Sequence, residues 1–401
     1  MPPPPTNPFR IHGVVAGEFF TDRAAEVDRI RATLREPGAK LLVYGPRRVG
    51  KTSAIARAVE RQRAAGGVAF LADLSTGTTI ADAANRILEA AGAALARKWK
   101  DVLVDLVKRI GASVTLAPDP ATGLIVPSLN VSLRSATIEV QRASLARALD
   151  TLESLARERR TTIGIVLDEF QEIRRFGGDE AEWHLRGVIQ RHAHISYVFA
   201  GSESHVIGRM LDKGGAFYKL ADQLVFGPID AGHLARWIDD RLAGAGVKPA
   251  GVGAAVVSLA GPRTRDIVQV ARQCYDNCTR AKRATADDVA KAVDDVVDQQ
   301  AAPFESMWGR FSAVQQNVLR AVAARVERLT TVDATRRFGF TSSGVAANAA
   351  KALVDSGTLV KAERRGAYGF DSPFLRRWVE TRALPDIPGF APGYGPPAGA
   401  G

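Results

Sequence analysis

An apolar strand that runs without a break into a glycine-bounded turn and then a helix decides most of what this chain can become. The stretch is KLLVYGPRRVGKTS, Lys40 to Ser53. Leu41, Leu42 and Val43 read as a buried strand, and Ile55, Ala58 and Val59 give the next helix an apolar side. Between them Gly45, Gly50, Lys51 and Thr52 fit the spacing G-x-x-x-x-G-K-[ST]. Gly45, Pro46, Arg47, Arg48, Val49, Gly50, Lys51, Thr52 and Ser53 are thereby expected to cradle the phosphates of a nucleotide, with backbone N–H groups wrapping them and Lys51 reaching the outer ones. The Thr52 hydroxyl is placed to bind Mg²⁺. Glycines permit positive φ and close backbone approach, and the helix opening near Lys51 turns its positive dipole end to the anion.

The chain has 401 residues, too many for one small core, so two or three domains are expected. Apolar residues make up 46% and charged residues 24%, close to globular averages, and no run of about 18 apolar residues exists to span a bilayer. The start, MPPPPTNPF, lacks the basic and apolar regions of a secretory signal, which points to a cytoplasmic protein. Cys274 and Cys278 stand four apart with no Cys or His partner near in sequence, and read as unpaired structural thiols. The net charge of +11 suits acidic partners such as nucleic acid, and suits equally an arginine-rich solvated surface.

In chain order, residues 1–38 begin with a disordered proline run and continue to a helix carrying Val27, Ile30 and Leu34 on one face; the segment either folds over the adenine side of the site or simply packs. Residues 39–230 read as the nucleotide-binding core. A second strand lies in GVAFLADLS, 67–75, a long helical region runs from about Ile80 to Ile110, and an inserted β-hairpin occupies 112–135. A helix with Leu145, Leu149, Leu152 and Leu155 inward leads to the strand Ile163 to Leu167, which ends in Asp168 and Glu169. Ligands in such sheets lie beyond the carboxyl ends of the strands, so Asp168 can hold Mg²⁺ and Glu169 can orient or deprotonate the attacking water. A helix at about Glu180 to Arg191 precedes HISYVFAGSES, where Ser202 is either a γ-phosphate sensor or a turn residue; 222–230 supplies the last strand. His192 and His194 read as packing or surface residues.

Residues 231–303 read as a strandless helical lid, in which Arg263 and Arg265 open a helix; Arg263 either reaches the nucleotide or is solvated. Residues 304–382 show three helices and two strands in winged helix-turn-helix order, with Val345, Ala349 and Leu353 inward. Between 301 and 380 there are 12 Lys/Arg against 7 Asp/Glu. Ser343, Asn348, Lys351 and the wing residues Arg364 and Arg365 are the candidates to face DNA, and winged helices also bind proteins. Residues 383–401 form a Pro/Gly-rich tail expected to be disordered.

Taken together, NPF, EFFTDRAAEVDRI, GPRRVGKTS, LDEFQEI, FAGSES and DSPFLRRWV resemble the archaeal-type ATPases, relatives of the AAA+ and STAND P-loop NTPases. The resemblance implies an α/β, AAA+-like P-loop parallel sheet, a helical lid and a winged helix. It gives Lys51 and Thr52 the phosphate and Mg²⁺ roles, Asp168 the metal role and Glu169 the water-activating role. Two departures stand out. Lys219 occupies the region where that family often carries an arginine, and GPR at 261–263 is more like the lid motif of AAA+ initiators and clamp loaders. Both imply slow, switch-like turnover. The expected function is an ATP- and Mg²⁺-dependent ATPase whose nucleotide state repositions lid and winged helix on DNA or a DNA-bound complex. The alternative is a STAND-like switch whose winged helix binds protein.

Overall fold

The structure is a computed structural model that describes residues 6–15, 17–98, 113–118, 125–130, 136–202, 204–362, 364 and 366–384. The proline start at 1–5, the part of the expected helical region from 99 to 110, the expected turn of the inserted hairpin, Arg365 and the tail from 385 lie outside the described residues. Two compact units divide the chain: Asp22–Gly227, and Met1–Thr21 together with Pro228–Gly401.

The first unit is built on five parallel strands, β1 Lys40–Tyr44, β2 Val68–Asp73, β5 Ile163–Asp168, β6 Ile195–Gly201 and β7 Asp222–Val225, in the order β2-β5-β6-β1-β7. The three central strands are nearly continuous apolar runs because helices cover the sheet on both faces. Helix Ala24–Arg35 buries Val27, Ile30 and Leu34. Helix Lys51–Ala64 follows β1 directly, and helix Ile138–Glu158 buries Leu145, Leu149, Leu152 and Leu155, as its spacing predicts. The helix expected at about Glu180 begins earlier, at Glu172, and runs to Ile189 through a kink at Gly177 and Gly178. Strands β3 Ser113–Pro118 and β4 Ile125–Asn130 pair antiparallel, the inserted hairpin.

His192 and Glu153 tie the amino end of β6 to the Ile138–Glu158 helix. The buried His192 bonds Tyr197 Oη through Nδ1 and Asp150 through Nε2, a packing role. Glu153 accepts the backbone N–H groups of Ala193, His194 and Ile195 and pairs with the His194 ring. Burial raises the Glu153 pKa, but the His194 contact and these N–H groups outweigh it and hold the carboxyl below its usual value. A depressed carboxyl pKa contributes stability above its unfolded value, and that stability is lost as pH falls through the folded one. Glu153→Gln is expected to cost about 1–3 kcal/mol at neutral pH, with the difference from wild type shrinking in acid, measured by urea unfolding across pH 3–7.

The second unit begins with residues 6–21. The segment expected as one piece over 1–38 is therefore divided between the units. Phe9 is fully buried beside Trp237, ring centroids 5.7 Å apart, and Asn7 donates to the Arg272 carbonyl while accepting from the Phe9 N–H. Helices Ala231–Gly244, Val252–Ala260, Thr264–Cys278 and Ala286–Gln299 follow. Residues 231–303 were expected to be strandless, and this is corrected: β8 Lys248–Ala250 and β9 Arg283–Thr285 pair in parallel. Three-residue strands are too short to leave a period in the sequence. Cys274 and Cys278 are both buried and free, and burial pushes the Cys274 thiol up to about 12.

Helices Ala313–Ala323, Val332–Arg337 and Ser343–Asp355 precede the antiparallel strands β10 Leu359–Lys361 and β11 Tyr368–Phe370. They enclose Val318, Leu319, Val322, Phe338, Phe340, Leu353 and Leu359. The inward face of Ser343–Asp355 is Ala346, Ala350 and Leu353, not the expected Val345, which is 37% exposed. Ser342 caps the helix through the Val345 N–H, fixing its start; the buried stripe then falls on alanines, whose apolar signal is weak. Helix Pro373–Trp378 returns to the helices of 231–299 and places Phe374, Leu375 and Trp378 in one cluster with Val256, Ile267 and Val293. Arg377 binds Asp294, and Arg263 forks onto Asp371.

Candidate nucleotide site

Three strand ends converge on the loop that follows β1. Gly45 lies against the chain after β7: a Cβ there would stand 2.2 Å from the Phe226 carbonyl oxygen, so no other residue fits. Gly50 has φ 94° and immediately precedes the helix at Lys51, whose free N–H groups and dipole face the loop. Arg48 also takes a positive φ, 67°.

Lys51 is 7% exposed, and its ammonium donates to the carbonyls of Gly45 at 2.9 Å and Pro46 at 2.7 Å. Burial pushes its pKa down to about 8, against the pull of Glu169 and Asp168. The Thr52 hydroxyl donates to Asp168 Oδ2 at 2.8 Å. Asp168 is 4% exposed, and burial raises its pKa, with Thr52 and the Glu169 N–H opposing and the charges of Glu169 and Asp73 adding to the rise. The buried Asp168 carboxylate beside the exposed Thr52 hydroxyl offers oxygen atoms of the kind a hard cation takes. Among the described residues no group of three or more His, Cys, Asp or Glu side chains could hold a metal alone. The set therefore fits Mg²⁺, which keeps waters and shares its sphere with substrate phosphates.

Glu169 follows in the left-handed region, φ 50°, a conformation that costs a non-glycine residue on the order of 1–2 kcal/mol. Its Oε2 accepts the Ser202 hydroxyl at 2.7 Å and the Gln171 side-chain N–H at 2.5 Å, and Arg47 Nε donates to Ser202 Oγ at 3.3 Å. Ser202 is thus bound to Glu169 in this state, and the phosphate loop reaches both through Arg47. Gln171 is 1% exposed.

Sequence reasoning missed three participants. Asp73 ends β2 in register with Asp168, and the matching apolar run ending in Asp was the available signal. Gln171 gives no signal without the fold. Arg23, 5% exposed, donates to the Val49 carbonyl at 3.2 Å and the Gly227 carbonyl at 2.5 Å, pairs with Glu26 at 2.7 Å, and lies over the Phe226 ring. It ties the loop to the chain beyond β7. Arg23→Met is expected to raise KM for ATP about tenfold or more with a smaller change in kcat, and Arg23→Lys to recover part of the loss. Equal loss in kcat and kcat/KM would contradict this.

Arg263, expected at the nucleotide, is held inside its own unit by Asp371. Of the residues expected to face DNA, Ser343, Asn348 and Lys351 are exposed on one helix, and Arg364 pairs with Glu327 at 2.8 Å, both exposed. Lys219 lies over the Tyr218 ring.

A Lys-Thr loop at the carboxyl end of β1, facing an acidic pair on β5 two strands away, defines a P-loop NTPase with an AAA+-like sheet order. The ATPase domain family found predominantly in Archaea matches residues 20–234, and the chain belongs to it. It is an ATPase by that membership. No curated protein matches the sequence. Among solved structures, the Walker-type ATPase PABY2304 of Pyrococcus abyssi superposes with TM-score 0.61 at 16% identity, covering 92% of this chain and 98% of that one. The Aeropyrum pernix ORC2 protein gives 0.55 at 14%, covering 90% and 93%. The Aeropyrum pernix ORC1 protein, solved in complex with DNA, gives 0.50 at 16%, covering 92% and 94%. These likenesses are of fold. Among the described residues no helix is long and apolar enough to cross a membrane.

Proposed function

We propose that the protein binds ATP with Mg²⁺ on the loop 45–53, hydrolyses it with Glu169 as the general base, and uses nucleotide state to reposition the unit from Pro228 onward. The observation that carries this reading is the Thr52–Asp168 contact one residue beyond Lys51, with Glu169 beside it. Lys51 would exchange its loop carbonyls for β- and γ-phosphate oxygens. Mg²⁺, held by Thr52 and Asp168, would neutralise charge on those phosphates. Glu169 would accept a proton from the attacking water, and Ser202, now donating to Glu169, would offer the same hydroxyl to an arriving γ-phosphate and so report its presence to the base. Arg263 would have to leave Asp371 before serving a phosphate. ATP turnover measured with Mg²⁺ and with excess chelator tests the metal; equal rates would reject it.

The three helices and the β10–β11 hairpin support a winged-helix reading, and DNA or a DNA-bound complex is the proposed target. Duplex binding should weaken steeply with salt, and Arg364→Gln should lower the log–log slope by about 1. The alternative, a switch that binds protein through the same helices, draws on one observation: Val332 is 80% exposed, Val345 37% and Val360 40%, and among the named DNA-facing residues of Ser343–Asp355 only Lys351 is cationic. Absence of duplex binding at low salt would select it.

A further inference from the structure

At the amino ends of the strands, on the opposite side of the sheet from the phosphate loop, an open groove of about 560 Å³ lies among the turns that lead into β1, β2, β5 and β6. Arg35, Arg157 and Arg160 line it, and no aspartate or glutamate does. Among the described residues none of these guanidinium groups has an ion-pair or hydrogen-bond partner. Thr161, Thr162 and His194 complete the wall; His194 already spends Nδ1 on Glu153, leaving its other ring nitrogen for a ligand. A second observation is independent of charge. Gln62 also lines the groove, is 93% buried by its 7% exposure, and has a buried side-chain oxygen with no hydrogen-bond donor. Buried polar groups are normally satisfied, and this oxygen lies shielded from solvent behind the groove wall, so a ligand that drew the Gln62 amide into the groove would relieve an unpaired acceptor.

We propose that this groove is a second anion site that takes a phosphate group. Planar guanidinium forks match phosphate oxygens, the threonine hydroxyls add neutral donors, and His194 Nε2, left as an acceptor by the Nδ1 contact with Glu153, would accept from a protonated phosphate oxygen. The competing explanation is local. Arg35 and Arg157 lie in the last turns of their helices, where cations offset the helix dipole. The two explanations predict opposite signs. If the arginines only offset dipoles, removing them destabilises the protein. If they are gathered for a ligand, they repel one another in its absence, and removing them stabilises the ligand-free protein at low salt.

The test uses the full chain carrying Lys51→Ala, so that the nucleotide loop does not contribute, and compares it with the same protein carrying Arg157→Gln and Arg160→Gln. The same background carrying Arg236→Gln and Arg280→Gln, both at exposed positions, is the charge-matched control. Calorimetric titration with pyrophosphate and anisotropy with a short labelled DNA duplex are the two arms. Binding that falls about tenfold or more in the double variant and is unchanged in the control supports the site. Loss confined to pyrophosphate identifies a free phosphate ligand, and loss that extends to the duplex identifies a nucleic-acid backbone. No binding in either arm, or equal binding by both proteins, overturns the proposal, as does a double variant that melts lower at low salt without phosphate. Because Lys51 is already removed, none of these outcomes depends on whether ATP is hydrolysed at the other end of the sheet.

Discussion

Glu169→Gln protein is expected to bind ATP as tightly as wild type and to hydrolyse it about 10²–10⁴-fold more slowly, the contribution typical of a positioned general base. Glutamine keeps the length of the side chain and can still accept from Ser202 and Gln171, so the local packing survives and only proton acceptance is lost. The residue stands next to Asp168, whose oxygen is bonded to Thr52, and its backbone is held at φ 50° although glutamate does not favour that region. Single-turnover hydrolysis together with equilibrium binding of a fluorescent ATP analogue separates the two effects. Unchanged turnover would remove Glu169 from the chemistry. Weakened binding with normal chemistry would make it a contact residue instead.

The second large effect concerns Lys51→Ala, which should weaken ATP binding by about 10²–10³-fold through the loss of charge-assisted contacts to phosphate. Its stability should move differently. The Lys51 pKa is lowered to about 8 by burial, so below pH 8 the ammonium is charged in folded and unfolded chains alike and the cost of burying it is fully present. Between about 8 and its unfolded value the folded protein sheds the proton first, the unfolded chain binds more protons, and stability rises with pH. Lys51→Ala should therefore melt no lower than wild type at pH 7 and should lose this rise between pH 8 and 10. A variant that melted lower and bound ATP poorly would show that the lysine supports the loop structurally; one that bound ATP normally would reject the site.

What could be read before folding followed from covalent spacing. The loop between Gly45 and Thr52 is contiguous, so its pattern carries its own geometry, and Asp168 and Glu169 end a short apolar run that reads as a buried strand at its distance from that loop. Arg23 and Gln171 stand inside EFFTDRAAEVDRI and LDEFQEI, yet no role was legible for either: Arg23 acts on carbonyls 26 and 204 residues away, and Gln171 acts through the left-handed turn at Glu169 that follows β5. Arg263 shows the converse. Its sequence context suggested a nucleotide contact, and the fold gives it Asp371, 108 residues later.

The amino-acid sequence by itself determined the phosphate loop, the acidic strand end and the alternation of strands and helices, because each depends on neighbours within a few residues. Only the tertiary structure decided that residues 6–21 join the second unit, that helix Pro373–Trp378 shares a core with the helices of 231–299, and that three arginines gather at the amino ends of the strands. Those outcomes depend on which buried surfaces meet across long separations, and local periodicity carries no record of that choice.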